Sequence, residues 1–158
     1  GVITRFNGDN LISSGATLNS QAAFGAWQVG GSFATNKIEY DGESLGYFAF
    51  NRGNSVGDRL NLFAQKSFMD KKLDVRASLL KTFEMRDVPS GAKPQPGYEV
   101  TDLSFVYHHD NSTDLSLAIT NLFDEKYLAH GTPYIVSGEE NSLYEQGRDV
   151  RVEVKRLF

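Results

Sequence analysis

Hydrophobic and polar residues alternate along most of the chain, and this two-residue period predicts β-strands. In the last alternating stretch, Val150, Val152 and Val154 share one face, and the charged residues between them lie on the other. Similar stretches occur at about residues 12–24, 27–39, 59–64, 73–80, 102–107 and 115–120, and residues 1–6 resemble the end of another. No stretch has the period of an amphipathic helix, so the pattern predicts an all-β chain of about seven or eight strands.

The predicted connections alternate between short and long. Short links are expected near Gly25 and at residues 69–71 and 110–113, and long links at residues 41–57, 87–97 and 128–146. An up-and-down membrane barrel has short turns at one rim and long loops at the other, whereas a Greek-key sandwich does not separate them. Aromatic residues lie near the short links or the C-terminus, where one girdle of a barrel is expected: Phe24, Trp27, Phe68, Tyr107 and Phe158. The pattern of connections favours an antiparallel, up-and-down transmembrane β-barrel over a sandwich.

Composition excludes several other classes of protein. The formal net charge of -4 gives no reason to expect nucleic acid as a partner. The chain has no cysteine, which excludes disulfides, thiolate metal sites and cysteine nucleophiles. We find no phosphate-binding glycine loop and no nucleophile-elbow pattern. We therefore predict no enzymatic activity, no cofactor and no metal site. The mean hydropathy of -0.37 does not separate a soluble β domain from a barrel, because barrel strands also alternate.

Two motifs near the C-terminus resemble those of TonB-dependent outer-membrane receptors. The first is LSLAITNLFDEKY, in which a strand runs into Asn121, Leu122, Phe123, Asp124 and Tyr127. The second is GRDVRVEVKRLF, which starts with Gly147 and Arg148 and closes on Phe158. The segment PGYEVTDLSFVY is similar to the strand that precedes them in the family. The specific match covers roughly the last sixty residues, and the earlier strands match only in their alternation.

The resemblance implies a 22-stranded barrel closed by a plug domain. Residues 1–158 would then be the C-terminal part of that barrel, with the plug, the TonB-coupling segment and the remaining strands on another part of the chain. It implies a receptor that imports an iron–siderophore complex or haem with energy relayed through TonB. Its partners would be outer-membrane lipid and the barrel-assembly machinery, which would recognise the last strand through Val150, Val152, Val154 and Phe158.

Two other architectures remain open from the sequence. One is a complete outer-membrane barrel of about eight strands, serving as an adhesin or structural protein. The other is a soluble β-sandwich that acts as a binding module.

Candidate ligand-binding residues lie in two of the predicted long loops. Aromatic side chains and an arginine could hold an aromatic, anionic iron chelate through stacking and charge-assisted hydrogen bonds. These residues are Tyr47, Phe48, Phe50 and Arg52. The resemblance adds His130 as a candidate haem ligand, although a single loop histidine is more often simply solvated. His108 and His109 are adjacent in a strand, so they should point to opposite faces and cannot share a metal ion.

Three basic residues interrupt the face that the barrel prediction assigns to lipid. Arg156 lies near the C-terminus, which the barrel prediction places at the periplasmic interface, and Lys66 lies near the predicted short turn at residues 69–71. In both places a long stem can cover apolar surface while its charge reaches water. Lys81 is expected toward the middle of its strand, where a charge in lipid would need another explanation.

Overall fold

The computed structural model describes residues 10–45, 56–88, 91, 93–130 and 144–157 of the chain. It contains eight strands: β1 (Leu11–Phe24), β2 (Trp27–Tyr40), β3 (Glu43–Ser44), β4 (Arg59–Phe68), β5 (Leu73–Thr82), β6 (Tyr98–His108), β7 (Thr113–Thr120) and β8 (Asp149–Arg156). Seven of the about seven or eight predicted strands are confirmed, and the predicted strand end at residues 1–6 lies outside the described residues. The two-residue strand β3, which pairs with the end of β2, was not predicted because it is too short to show a period. No helix in these ranges is long and apolar enough to cross a membrane.

The strands form one antiparallel sheet in the order β1-β2-β4-β5-β6-β7-β8, with β3 beside β2. Short turns join β1 to β2, β4 to β5 and β6 to β7, and they lie at one rim of the sheet, the short-turn rim. Residues 45–58, 83–97 and 121–148 are the three long connections, and they start and end at the opposite rim, the long-connection rim. The predicted alternation of short and long links is thus confirmed. In the described part of the chain β1 and β8 are the two edges, so this sheet is open, and no second sheet packs on it as a sandwich requires.

Strand register places the hydrophobic residues on one continuous face of the sheet. Val150, Val152 and Val154 lie opposite Ile119, Leu117 and Leu115 on β7. The same face continues through Leu103, Phe105 and Tyr107 on β6 and then across β5, β4, β2 and β1. Nothing in the described structure covers this face, since Leu18 is 72% exposed and Val152 is 77% exposed. We call it the apolar face.

The opposite, polar face carries most of the charged and amide side chains of the strands. On this face the Phe63 ring lies over β2 because Gly30 has no side chain, and a Cβ at position 30 would lie 2.7 Å from the ring. The guanidinium carbon of Arg76 lies 4.0 Å from the Phe63 ring centroid. The arginine therefore covers the ring through a cation–π contact.

Aromatic residues border the apolar face at the short-turn rim, as the sequence predicted. Phe24 and Trp27 face each other across the first turn, and Phe68 ends β4. The amino group of Lys66 lies 4.9 Å from the centroid of the Trp27 ring and 4.7 Å from that of Phe68. Lys66 thus lies near a turn, as predicted, and its ammonium group makes cation–π contacts with both aromatic rings.

Ion pairs border the same face at the long-connection rim. Lys81 pairs with Glu99 on the neighbouring strand, and Lys37 lies 2.8 Å from Glu39 and 3.1 Å from Asp87. The expectation that Lys81 lies toward the middle of its strand was wrong, because β5 ends at Thr82. Lys81 is the last but one residue of β5 and lies opposite Leu60 of β4, next to the long-connection rim.

The buried residues cluster at the long-connection rim rather than along the sheet. They are Thr82, Met85, Gln95, Tyr98, Val100, Asn121 and His130, each at most 8% exposed. These residues lie on the strand ends and on the connections that cover them, and we call them the loop-base core. The part of the structure that is packed like a protein interior is therefore where the long connections leave the sheet.

Polar contacts hold the short-turn rim between β4, β5, β6 and β7. His108 lies on the polar face, where its ring nitrogens face Asp114 at 2.7 Å and Asp74 at 3.5 Å. In the adjoining turn, the amide and hydroxyl of Ser112 donate hydrogen bonds to Asp110. These bonds hold the pKa of the Asp110 carboxyl below its usual value, so the turn keeps its negative charge at neutral pH.

Candidate functional site

The polar segment that follows β7 is organised by the side chain of Asn121. Asn121 is 3% exposed and has a positive φ of 50°, a conformation that asparagine tolerates better than most residues. Its Oδ1 accepts a hydrogen bond from the amide of Glu125 at 2.8 Å. Its Nδ2 donates to the carbonyl of Glu125 at 2.9 Å and to that of Gln146 at 3.3 Å. The amide thus closes the turn at residues 121–127 and ties it to the far end of the same long connection.

Asp102 supports this turn from the neighbouring strand. Its Oδ1 accepts a hydrogen bond from the Asn121 backbone amide at 2.9 Å, and the amide of Leu122 donates to the carbonyl of Thr101 at 2.7 Å. The turn is therefore fixed to β6 as well as to the start of β8. Phe123, in contrast, points outward and is 75% exposed.

Asp124 joins the two motifs that were recognised in the sequence. Its Oδ1 accepts a hydrogen bond from the backbone amide of Arg148 at 2.8 Å. A Cβ on Gly147 would lie 2.7 Å from this same oxygen, so a larger residue at position 147 would push the carboxylate away from the Arg148 amide. The Asn-Leu-Phe-Asp segment and the Gly-Arg pair thus form one closed structure, in which the ends of β7 and β8 are held together across the last long connection.

Tyr127 packs this structure against the loop-base core. Its ring stacks on that of Tyr98 with centroids 4.3 Å apart, and its carbonyl accepts a hydrogen bond from the amide of Glu145 at 3.0 Å. Burial raises the pKa of the Tyr127 phenol, so it stays protonated across the neutral range. The tyrosine of the first motif is therefore a packing residue.

His130 also contacts Tyr98, with the two rings edge to face and their centroids 5.7 Å apart. Its Nδ1 is 3.1 Å from the carbonyl oxygen of Val56, and its Nε2 is 2.9 Å from that of Pro96. The side chain is buried, and both ring nitrogens contact backbone. Haem ligation by His130 stays a prediction, and in this geometry it would first require one of these two contacts to break.

The other predicted ligand-binding residues lie outside the described part of the chain: Tyr47, Phe48, Phe50 and Arg52. The predicted assembly residues Val150, Val152 and Val154 are described. They project from the apolar face of the edge strand β8 and are 59–77% exposed. Phe158 lies outside the described residues.

Sequence reasoning missed the residues that support the site from other elements. The sequence predicted Asp102 and Tyr98 only as residues of a strand, with no role in the site. Val56 and Pro96 contribute backbone carbonyl oxygens, which every residue has, so no side chain indicates their role. The one available hint was an aspartate on the polar face of β6 close to the predicted end of β7. Such contacts join residues far apart in sequence, so local patterns do not reveal them.

No family model matches the chain, and no curated protein matches it. Solved structures do match. The FrpB iron transporter from Neisseria meningitidis (F3-3 variant) is 17% identical with a TM-score of 0.73, over 91% of this chain and 23% of that one. The siderophore receptor PiuA from Acinetobacter baumannii is 19% identical with a TM-score of 0.65, over 91% and 21%. The copper transporter OprC is 16% identical with a TM-score of 0.70, over 92% and 23%.

The chain spans less than a quarter of the length of each of these proteins, and almost all of it is superposed. At these identities the match shows the fold. The matched proteins are transporters and receptors, and they agree with the resemblance seen in the C-terminal motifs. The chain has the fold of part of a TonB-dependent receptor barrel.

Proposed function

We propose that this chain is the C-terminal barrel segment of a TonB-dependent outer-membrane receptor. The complete protein would bind a scarce nutrient outside the cell, an iron–siderophore complex or haem, and import it with energy relayed through TonB. The observation that carries the proposal is the uncovered apolar face, bordered by aromatic residues at the short-turn rim and by ion pairs at the long-connection rim. Outer-membrane barrels expose such a band to lipid, and their long loops face the outside.

In this proposal the short-turn rim faces the periplasm. The plug and the remaining strands cover the polar face and the two edges of the sheet. An edge strand with free backbone groups otherwise pairs with another chain, so β1 and β8 need neighbours in the complete barrel. Lipid is the partner of the apolar face.

Ligand binding is assigned to the long connections. Tyr47, Phe48, Phe50 and Arg52 belong to the connection between β3 and β4, which starts and ends at the rim assigned to the outside. Aromatic rings and a guanidinium suit an anionic, aromatic iron chelate. FrpB, PiuA and OprC are named for iron, a siderophore and copper, so the fold alone does not select the cargo.

Uptake by cells that express the full-length protein tests the proposal. Radiolabelled ferric siderophore, haemin and Cu²⁺ are supplied separately, with and without a protonophore. We expect accumulation of the ferric siderophore or of haemin, and the protonophore should abolish accumulation while leaving surface binding intact. Energy-independent uptake, uptake of Cu²⁺ alone, or uptake of none of the three would contradict the proposal.

A matched pair of variants tests the binding residues. Replacing Tyr47, Phe48, Phe50 and Arg52 together by serine should reduce binding of the accepted nutrient at unchanged protein level in the membrane. His109→Gln, at the short-turn rim, should leave binding unchanged. Equal binding by both variants would remove these four residues from the site.

A further inference from the structure

Lys66 differs from the other two lysines of the apolar face in the partners of its ammonium group. Lys37 and Lys81 are paired with carboxylates at the long-connection rim. Lys66 lies toward the short-turn rim, and among the described residues its ammonium group contacts only the rings of Trp27 and Phe68, at 4.9 Å and 4.7 Å. This part of the apolar face therefore carries a positive charge held by two aromatic rings.

The neighbours of Lys66 on the same face are uncharged. In the register of the sheet it lies between Trp27 of β2 and Val75 of β5. The nearest acidic residue of the paired strand is Asp74, which points to the polar face and accepts a hydrogen bond from the hydroxyl of Ser67. In the described sheet, then, no acidic side chain is placed beside the ammonium group.

The charges of the apolar face differ between its two rims. Its acidic strand residues in the described structure are Glu39 and Glu99, and both lie at the long-connection rim. Lys66 and Arg156 lie toward the short-turn rim. The turn at residues 69–72, which adjoins Lys66, adds two lysines and one aspartate. The surface around Lys66 is therefore net positive, which favours an anionic partner.

We propose that Lys66, together with Trp27 and Phe68, binds the phosphate of an anionic phospholipid at the short-turn rim. The site rests on the proposed function, because it requires lipid on the apolar face. Aromatic rings attract the charge of an ammonium group, but they provide no oxygen for its three N–H donors. A lipid phosphate supplies both a negative charge and acceptor oxygens, and the acyl chains of the same molecule would cover the apolar residues beside it.

The depth of Lys66 fits a lipid headgroup. Its Cα lies two residues before Phe68, the last residue of β4, and so about 7 Å from the end of the strand. The contact with the Phe68 ring directs the ammonium group toward that end. In barrels a basic residue is costly at the centre of the bilayer and tolerated near its interface, and basic clusters at the interface bind lipid headgroups.

Fluorescence quenching by brominated lipids tests the site in the full-length protein. A fluorophore is attached to Phe105→Cys, since Phe105 lies opposite Val75 and thus two strands from Lys66 on the same face. Any other cysteine is first replaced by serine. The phosphatidylcholine bilayers contain a small fraction of brominated phosphatidylglycerol or, separately, brominated phosphatidylcholine.

We expect the brominated phosphatidylglycerol to associate about threefold more strongly beside the fluorophore, as one partly exposed ion pair implies. Equal quenching by the two lipids would overturn the headgroup site and leave the lipid-facing assignment intact. Quenching by neither lipid would overturn that assignment and, with it, the site.

Variants separate Lys66 from a general attraction of the protein for anionic lipid. Lys66→Gln should abolish the preference, and Lys66→Arg should keep it because the charge is retained. Lys81→Gln removes one positive charge at the other rim of the same face and should also keep it. The site is refuted if the preference survives Lys66→Gln or is lost equally in Lys81→Gln.

Salt provides a measurement that does not depend on the assembly of any variant at position 66. At about 1 M salt the Debye length falls to about 3 Å, so the preference of the Phe105→Cys protein for phosphatidylglycerol should disappear. A preference that is unchanged by salt would show that the ammonium group does not bind the phosphate.

Discussion

At the scale of single residues, the end of β7 depends on one side-chain amide. Asn121 makes hydrogen bonds to Glu125 and Gln146 while almost completely buried, so its loss would leave backbone groups without partners. Asn121→Gly keeps the positive φ accessible and removes only the amide. We expect it to lower the free energy of unfolding by about 2 kcal/mol, the cost of losing buried hydrogen bonds.

Thermal unfolding of the assembled barrel in detergent measures this loss. Asn61→Gly is the matched control, because Asn61 is exposed and its amide makes a single hydrogen bond, to Ser32 at 3.2 Å. A control that loses as much stability as Asn121→Gly would show that the Asn121 amide has no special role.

The pairing of Asp124 with Gly147 predicts a coupled effect. Gly147→Ala places a methyl group 2.7 Å from Oδ1 of Asp124, which should displace the carboxylate from the Arg148 amide and cost about 1 kcal/mol. In an Asp124→Gly background the same substitution should cost much less, since the clashing oxygen is absent. A double-mutant cycle of unfolding free energies measures the difference, and simple additivity would contradict the contact.

At the scale of elements, β8 presents alternating valines at an edge of the described sheet. The resemblance assigns Val150, Val152, Val154 and Phe158 to recognition by the barrel-assembly machinery. Deleting Phe158 from the full-length protein should lower its level in the outer membrane several-fold while synthesis continues. Quantitative immunoblots of membrane fractions measure this level, and wild-type levels would refute the assignment.

The strands were predictable because their alternation is local and strong. The predicted stretch at residues 115–120 lies within β7, and its register with β8 follows from keeping both valine and leucine sets on one face. Strand ends were less predictable. β5 ends at Thr82 and β6 begins at Tyr98, and both residues belong to the loop-base core. Thr82 is polar and yet buried there, which the alternation of hydrophobic and polar residues does not predict.

The sequence identified the residues of the candidate site but not the hydrogen bonds and contacts that join them. Asn121, Asp124 and Gly147 were selected by resemblance, and the structure supplies the hydrogen bonds that explain them. His130 was considered as an exposed loop residue, yet it is buried between backbone segments 34 and 74 residues away. Contacts between residues so far apart in sequence produce no periodic pattern, so only the structure reveals them.

At the scale of the whole molecule, the packing is inverted relative to a soluble β domain. The loop-base core holds the buried residues, while the apolar face of the sheet has nothing on it in the described structure. A sheet with this distribution is stable only if something covers the apolar face, and the proposal assigns that role to lipid. This assignment is the central claim, since transport, orientation and assembly all depend on it.

Spin labels along β7 test that claim most directly. Residues 1–158 contain no cysteine, and any cysteine elsewhere in the full-length protein is first replaced by serine. Single cysteines replace Leu115 to Thr120 one at a time in the full-length protein, which is placed in lipid bilayers. Collision rates with oxygen, which concentrates in lipid, and with a water-soluble nickel chelate are then measured. We predict high oxygen accessibility at Leu115, Leu117 and Ile119 and low accessibility at Ser116, Ala118 and Thr120. Equal accessibility at all six positions, or preferential contact of the first set with the nickel chelate, would contradict a lipid-facing sheet.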